Sequence, residues 1–435
     1  MFPARHWVRV LFVIAALALG QNASAQSNPT YVQFQPLAVK GVVYRPDNEE
    51  RPEIGILIIH RVNNFLGHGA ATELARRGFG VLTMNSRFDN NETAVIWEMI
   101  ALDVKTGVEY LRKQMGVRKV VLFGHSGGGA TLSFYQAVAE QGAAFCSAPT
   151  KITSCGADFP VLPRADALIV IDANLGNPIG LLRGLNPAVG QDDDPRITRP
   201  DLDPFNPANG FDAKGQTRYS NEFKQTYFEA QAARMNRLVA RASGLASRLG
   251  TNSDARFPDD DVVLIARAGD GRLSSIDASL RTGLEKPRKV LKINGSTVTE
   301  RVGNQQPFTP PSGASAGTFA GSRLLTIRSF LSTHAIRATN SMTGIDWCST
   351  NNSTPCAVQK IGVPLLVTAM QGGSPLADSE LVFDMAVSKD KDFVVVEGAS
   401  HNFTPCTECE RRKGEYTNTV RNFFDYVRRW IDSRF

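Results

Sequence analysis

The chain has 435 residues, of which 42% are hydrophobic and 21% charged, and its formal net charge is +6. This length is enough to bury a large core, and it allows two or three domains or one domain with a long insertion. The composition excludes a disordered or fibrous protein. The basic residues form no concentrated face, so no nucleic-acid partner is expected.

The first residues have the pattern of a secretory signal peptide. Arg5 and Arg9 precede an apolar run over residues 10–19, which Ala23-Ser24-Ala25 follows. This order of charge, apolar run and small residues predicts cleavage before Gln26. The run is shorter than the ~20 apolar residues that span a bilayer, so no stable membrane anchor is expected. The sequence therefore predicts a secreted or periplasmic protein.

Export changes the interpretation of the six cysteines, because disulfides persist outside the cytosol. They fall into three couples that are close in sequence, although six cysteines allow 15 pairings. The short spacing of the last couple favours a tight structural disulfide over a redox motif or a metal site. The couples are Cys146 with Cys155, Cys348 with Cys356, and Cys406 with Cys409.

Apolar strands alternate with helices in the first part of the chain. Such alternation predicts a parallel sheet whose ligands bind outside the carboxyl ends of the strands. The predicted strands lie within 31–44 and at 54–60, 80–84, 120–123 and 167–171, and the predicted helices at 69–77, 97–114 and 131–137.

The alternation of strands and helices is interrupted from about residue 176 to residue 357. A long helix over 219–249, a strand at 262–265 and a hairpin from 290 to 298 are predicted there. Long insertions in compact enzymes are usually functional, so this region is interpreted as a cap or lid.

The alternation then resumes, with strands at 363–368 and 393–396, a helix at 379–386 and a final helix at 416–431. The predicted domains are a signal peptide (1–25), a first core part (26–175), the cap insertion (176–357) and a second core part (358–435).

The most informative stretch begins with the apolar run 120–123 and continues into Gly124-His125-Ser126-Gly127-Gly128. A helix is predicted directly afterwards, and the order strand, sharp turn, helix is what a nucleophile elbow requires. Glycines relieve the crowding beside a strained serine at such a turn. Ser126 is therefore predicted to be a nucleophile; the alternative is a glycine-rich turn without chemistry.

A serine nucleophile needs an adjacent base that a third group holds in one tautomer. His401 follows the last predicted strand, where its side chain could approach Ser126 from the same edge of the sheet. His125 is next to the serine in sequence, but its side chain is expected to point away. His401 is the predicted base, with a solvated loop histidine as the alternative.

These motifs resemble those of the α/β hydrolases, the fold of many serine esterases and lipases. The resemblance rests on Gly124–Gly128 and Gly398–His401 and covers about residues 31–175 and 358–435. It implies an α/β fold with a mostly parallel sheet, helices on both faces and a large cap insertion. The regions around Met84 to Phe88 and Glu397 to Cys406 look like secreted dienelactone-hydrolase-like proteins. The resemblance implies neither a metal nor an organic cofactor.

The family's acid usually follows the strand after the cap, but here that loop has no carboxylate before Asp378. Glu380 is the first choice, because its longer side chain would compensate for a later position. Asp172 is the alternative, since it ends a strand from which some lipases of the family take their acid. Asp378 is a further candidate, and each of the three is open to a purely structural role.

An oxyanion hole needs backbone N–H groups aimed at the developing negative charge. Gly127, directly after the nucleophile, is expected to provide one. The second is expected from the loop after the strand 54–60, where the family often has His-Gly and this chain has His60-Arg61. Val62 is the preferred donor and Arg61 the alternative.

The sequence thus predicts a secreted serine hydrolase that cleaves small-molecule or polymeric carboxylic esters through an acyl-enzyme. A peptidase, amidase or lactonase with the same triad is one alternative. A non-catalytic binding protein on a hydrolase scaffold is another, because the acid loop is unusual. The sequence carries no prediction of oligomeric state.

Overall fold

The computed structural model describes residues 29–46, 51–214, 216–249, 260–309, 311, 313 and 321–435. The predicted signal peptide lies outside these residues. Among the helices within them, none is long and apolar enough to cross a membrane.

A ten-stranded sheet forms the centre of the described chain, with the strand order β1-β2-β4-β3-β5-β6-β13-β14-β8-β9. The strands from β4 to β8 in this order are parallel, and the pairs at both edges are antiparallel. Two small hairpins, β7 with β10 and β11 with β12, lie outside it. The strands are β1 Thr30–Gln33, β2 Lys40–Tyr44, β3 Ile54–His60, β4 Gly80–Asn85, β5 Lys119–His125, β6 Ala167–Ile171, β7 Val262–Ile265, β8 Arg288–Leu291, β9 Thr297–Glu300, β10 Arg323–Thr326, β11 Arg337–Asn340, β12 Gly344–Asp346, β13 Leu365–Gly372 and β14 Lys391–Ser400.

Helices cover both faces of this sheet, which explains why its central strands are continuous apolar runs rather than alternating ones. One core packs α1 and α10 against the sheet, and the other packs α2, α3 and much of the insertion against its opposite face. The helices are α1 Gly69–Ala75, α2 Trp97–Lys113, α3 Gly127–Gln141, α4 Ala143–Cys146, α5 Asn177–Gly184, α6 Asn221–Ala246, α7 Ile327–Ser329, α8 Thr354–Val358, α9 Leu376–Met385 and α10 Thr419–Asp432.

The predicted insertion contributes to the sheet itself. Its hairpin is present, because β8 pairs antiparallel with β9 and Val290 lies opposite Val298. However, β8 also pairs in parallel with β14 and thereby extends the central sheet. Residues 288–300 therefore belong to the sheet, which corrects their placement in a cap. The long helix of the insertion is α6, and its buried side packs against β11 and the end of α5.

Three disulfides are present among the described residues. They join Cys146 to Cys155, Cys348 to Cys356, and Cys406 to Cys409. The three couples predicted from sequence proximity are confirmed.

Candidate active site

Ser126 lies at the turn between β5 and α3, with a backbone φ of 55°. A non-glycine residue adopts this conformation at a cost, so the surrounding contacts must hold it there. They are close: a methyl carbon on Gly128 would lie 2.4 Å from the Ile59 carbonyl oxygen, and one on Gly129 would lie 2.3 Å from the Ala173 side chain. Only glycine fits at these two positions, because neighbouring strand ends pack directly against the turn.

Asp172 follows β6, the parallel neighbour of β5. His125 lies opposite Ile171 in the register, and the Ser126 N–H donates to the Ile171 carbonyl at 3.1 Å. Asp172 is fully buried and also has a positive φ, 42°. The sheet therefore brings the serine and this aspartate to adjacent strand ends, and both have strained backbones.

Asp172 and His401 are paired. Nδ1 of His401 lies 2.6 Å from Oδ2 of Asp172, although the two residues are 229 positions apart. The same carboxylate accepts the Ser374 N–H at 2.9 Å and the Met370 N–H at 3.1 Å, which fixes its orientation. With Nδ1 held by Asp172, Nε2 is the ring nitrogen that is left for proton transfer, and the His401 side chain is 39% exposed.

The other two carboxylates are engaged elsewhere. Glu380 accepts from the N–H groups of Glu285 and Lys286 at 2.7 and 3.2 Å and from Nε of Arg288 at 2.8 Å. Asp378 pairs with Arg183 at 3.0 Å. The structure thus brings Asp172 to His401 and does not bring Glu380 there, which reverses the order of preference from the sequence. The reason is that Glu380 points to the loop before β8, a strand that the sequence analysis assigned to the cap rather than to the sheet.

A chain of histidines supports the backbone of His401. Nε2 of His125 donates to the His401 carbonyl oxygen at 2.8 Å, and Nδ1 of His125 lies 3.0 Å from Nε2 of His68. The Ala70 N–H donates to Nδ1 of His68, which fixes a single consistent set of neutral tautomers. Burial lowers the pKa of His68 to about 4 and that of His125 well below its usual value. His125 therefore has a supporting position beneath the loop of His401.

The second expected oxyanion donor is already engaged. The Val62 N–H donates to Nδ1 of His60 at 3.2 Å, and the Asn63 N–H donates to the same atom at 2.9 Å. This geometry does not support Val62 as a free donor. Gly127 and Arg61 are then the remaining candidates among the predicted oxyanion donors. Gly127 is the first residue of α3, so its N–H is one of the helix's orphan donors.

Sequence reasoning missed two contributors to this site. Ser374 contacts both Asp172 and His401, through its N–H and its hydroxyl. The Arg61 side chain lies beside Gly127, where it was expected to contribute only backbone. Its charge beside the predicted oxyanion loop was the signal available in the sequence.

The strand order, the elbow after β5 and the histidine after β14 define the α/β-hydrolase fold. No family model and no curated protein matches the chain. Solved structures similar to it include Est1E from Butyrivibrio proteoclasticus, at 12% identity over 94% of this chain and 98% of that chain with a TM-score of 0.39.

Brefeldin A esterase, a bacterial homologue of human hormone-sensitive lipase, is 10% identical over 96% of this chain and 81% of its own, with a TM-score of 0.41. A soluble variant of monoglyceride lipase from Saccharomyces cerevisiae is 12% identical over 94% and 95%, with a TM-score of 0.39. The dienelactone-hydrolase-like subtype stays a prediction.

Proposed function

We propose that this protein is a secreted serine hydrolase that cleaves carboxylic esters. Ser126 attacks the ester carbonyl while His401 takes the hydroxyl proton, and Asp172 orients the imidazole. His401 then returns the proton to the leaving alcohol, and the acyl group stays on Ser126. Water, activated by the same histidine, releases the acid.

The pairing of His401 with Asp172 is the observation that carries this proposal. The two side chains lie far apart in sequence and meet at 2.6 Å at the strand end next to Ser126. Two backbone N–H groups orient the carboxylate, and the nucleophile candidate is held at a strained φ. Strain of this kind is typical of functional sites, and a structural role alone would not require it at two adjacent strand ends.

Secretion is part of the proposal. Its support is the signal-peptide pattern of residues 1–25 together with three disulfides among the described residues. Disulfides of this kind are rare in reducing compartments.

A fluorophosphonate probe tests the nucleophile directly. We expect the probe to label Ser126, and we expect Ser126→Ala to abolish both labelling and hydrolysis of a p-nitrophenyl ester. Ser133→Ala is the matched control, because Ser133 lies on the same helix and its buried hydroxyl has no hydrogen-bond partner among the described residues. Unchanged ester turnover in Ser126→Ala would refute the proposal.

The same experiment separates the rival functions. A binding protein on a hydrolase scaffold would show no labelling and no turnover of any substrate. A peptidase, amidase or lactonase would be labelled at Ser126 but would prefer peptide, amide or lactone substrates in a panel that also contains simple esters. Preference for acyclic esters is the result expected here.

A further inference from the structure

Arg61 has a nearly buried guanidinium with an incomplete set of partners. Its side chain is 12% exposed, and Nη2 donates to Glu92 Oε1 at 2.9 Å. The Asn177 side-chain oxygen, in the orientation that satisfies both polar atoms of the amide, accepts from Nε at 2.9 Å and from Nη2 at 3.0 Å. These contacts provide acceptors for Nε and Nη2 but none for Nη1.

Nη1 faces another donor rather than an acceptor. It lies 3.4 Å from Nε2 of His60. Nδ1 of His60 accepts the N–H groups of Val62 and Asn63, so the neutral ring carries its proton on Nε2. Burial, reinforced by the charge of Arg61, lowers the pKa of His60 to about 3, so the ring is neutral in ordinary buffers. Among the described residues, the N–H groups of Nη1 therefore have no acceptor.

The position of Nη1 matters because it is next to Gly127. A methyl carbon on Gly127 would lie 2.7 Å from Nη1 and 2.4 Å from Nε2 of His60. Both donors thus pack against the α-carbon of the residue that follows the nucleophile. An oxygen bound by the Gly127 N–H would lie in this neighbourhood, and a donor without an acceptor is what such an oxygen needs.

The charges around Arg61 also favour a negatively charged oxygen at this position. Glu92 is shared between Arg61 at 2.9 Å and Arg323 at 3.5 Å, so two guanidinium groups face one carboxylate. His334 lies 3.9 Å from the same carboxylate, and burial, with the charges of both arginines, lowers its pKa well below its usual value. The cluster therefore carries one excess positive charge, which a developing oxyanion would neutralise in a medium of low dielectric constant.

Resting on the proposed function, we infer that the Arg61 side chain is a donor of the oxyanion hole, with the Gly127 N–H as its partner. When Ser126 Oγ bonds to the ester carbon, the carbonyl π electrons move onto the oxygen. Nη1 and the Gly127 N–H then donate to that oxygen, and no proton leaves Arg61. The side chain takes the role that sequence reasoning gave to the Val62 backbone.

Arg61→Ala tests this inference with a neutral p-nitrophenyl ester as substrate. We expect kcat to fall on the order of 100-fold or more, as for the loss of one oxyanion donor, with KM changed only a few-fold. Arg199→Ala is the matched control, since Arg199 also pairs with a carboxylate, that of Asp201, but is 56% exposed and lies outside this cluster, and it should retain kcat within a few-fold.

A trifluoromethyl ketone distinguishes a catalytic role from a structural one. It forms an anionic adduct with a nucleophilic serine, so its inhibition constant should rise in Arg61→Ala by about the same factor as kcat/KM falls. Added guanidinium ion should restore part of the activity of Arg61→Ala and none in Ser126→Ala.

Each result has one meaning. A wild-type protein that neither turns over esters nor reacts with a fluorophosphonate refutes the proposed function itself. An active wild type with Arg61→Ala equal to Arg199→Ala refutes the inference, and so does a loss confined to esters that carry a carboxylate. Should Arg61→Ala not fold, Arg61→Met keeps a long side chain without any N–H donor, and full kcat in that variant refutes the inference as well.

Discussion

Two buried carboxylates, Asp172 and Glu380, differ in what they hold. Asp172 accepts two backbone N–H groups and presents one oxygen to the His401 ring. Glu380 accepts two backbone N–H groups and the Arg288 guanidinium, and so ties the start of β8 to α9. The first arrangement orients a ring, and the second anchors a chain segment.

Substitution separates these roles. Asp172→Asn keeps the shape but does not favour the Nδ1–H tautomer, so we expect kcat to fall by roughly 10³ to 10⁴ with little change in KM. Glu380→Gln should keep kcat within a few-fold and lower the free energy of unfolding by about 1–3 kcal/mol, because a charged acceptor is lost from a buried network. Ester kinetics and urea denaturation of both variants provide the check. A loss of kcat in Glu380→Gln as large as that in Asp172→Asn would contradict the assignment.

At the scale of elements, the β5–α3 elbow depends on its close contacts with neighbouring strands. Gly128 approaches the Ile59 carbonyl at the end of β3, and Gly129 approaches Ala173 just beyond β6. The turn is therefore held from both sides by parts of the sheet that are distant in sequence.

Gly129→Ala measures how tightly the elbow is held. The added methyl carbon would lie 2.3 Å from the Ala173 side chain, so backbone must move. We expect a loss of about 1–3 kcal/mol in stability and a clear fall in kcat, because Ser126 moves with the turn. Gly244→Ala is the control: that glycine is exposed on α6 with nothing within 4 Å, so stability should stay equal or rise by up to about 1 kcal/mol. Equal behaviour of the two variants would show that the elbow tolerates displacement.

At the scale of the whole molecule, the buried histidines couple folding to pH. Burial is the largest cause of a lowered pKa in four of them: to about 3 in His60, to about 4 in His68, and well below the usual value in His125 and His334. Each binds a proton in the unfolded chain below about pH 6.5 but stays neutral in the folded protein. The unfolded state therefore binds more protons, and stability falls as pH decreases.

Thermal unfolding between pH 7 and pH 5 tests this coupling. We expect Tm to decrease as the pH is lowered, with each such histidine contributing up to about 2 kcal/mol at pH 5. His334→Asn removes a histidine outside the proposed catalytic groups, so its Tm should depend less steeply on pH than that of the wild type. A Tm that is flat or rises toward pH 5 would contradict the expectation.

Several structural features of this protein could be predicted from short stretches of its sequence. Ser126 was predicted because an apolar strand, a glycine-rich turn and a helix are adjacent in the chain, and the structure has that elbow. The same holds for the three disulfide couples and for the hairpin of β8 and β9. These features can be recognised from residues that are close together in the chain, where propensity and spacing act directly.

The tertiary structure decided the features that depend on which distant segments become neighbours. It paired His401 with Asp172 rather than Glu380, because only β13 separates β6 from β14 in the sheet. It placed β8 next to β14 in the central sheet, although β8 lies in the region that was predicted to be a cap. It also set the Arg61 side chain against Gly127. A sequence specifies local conformation through nearby residues, whereas these partners are chosen only when the packed sheet fixes distances across hundreds of positions.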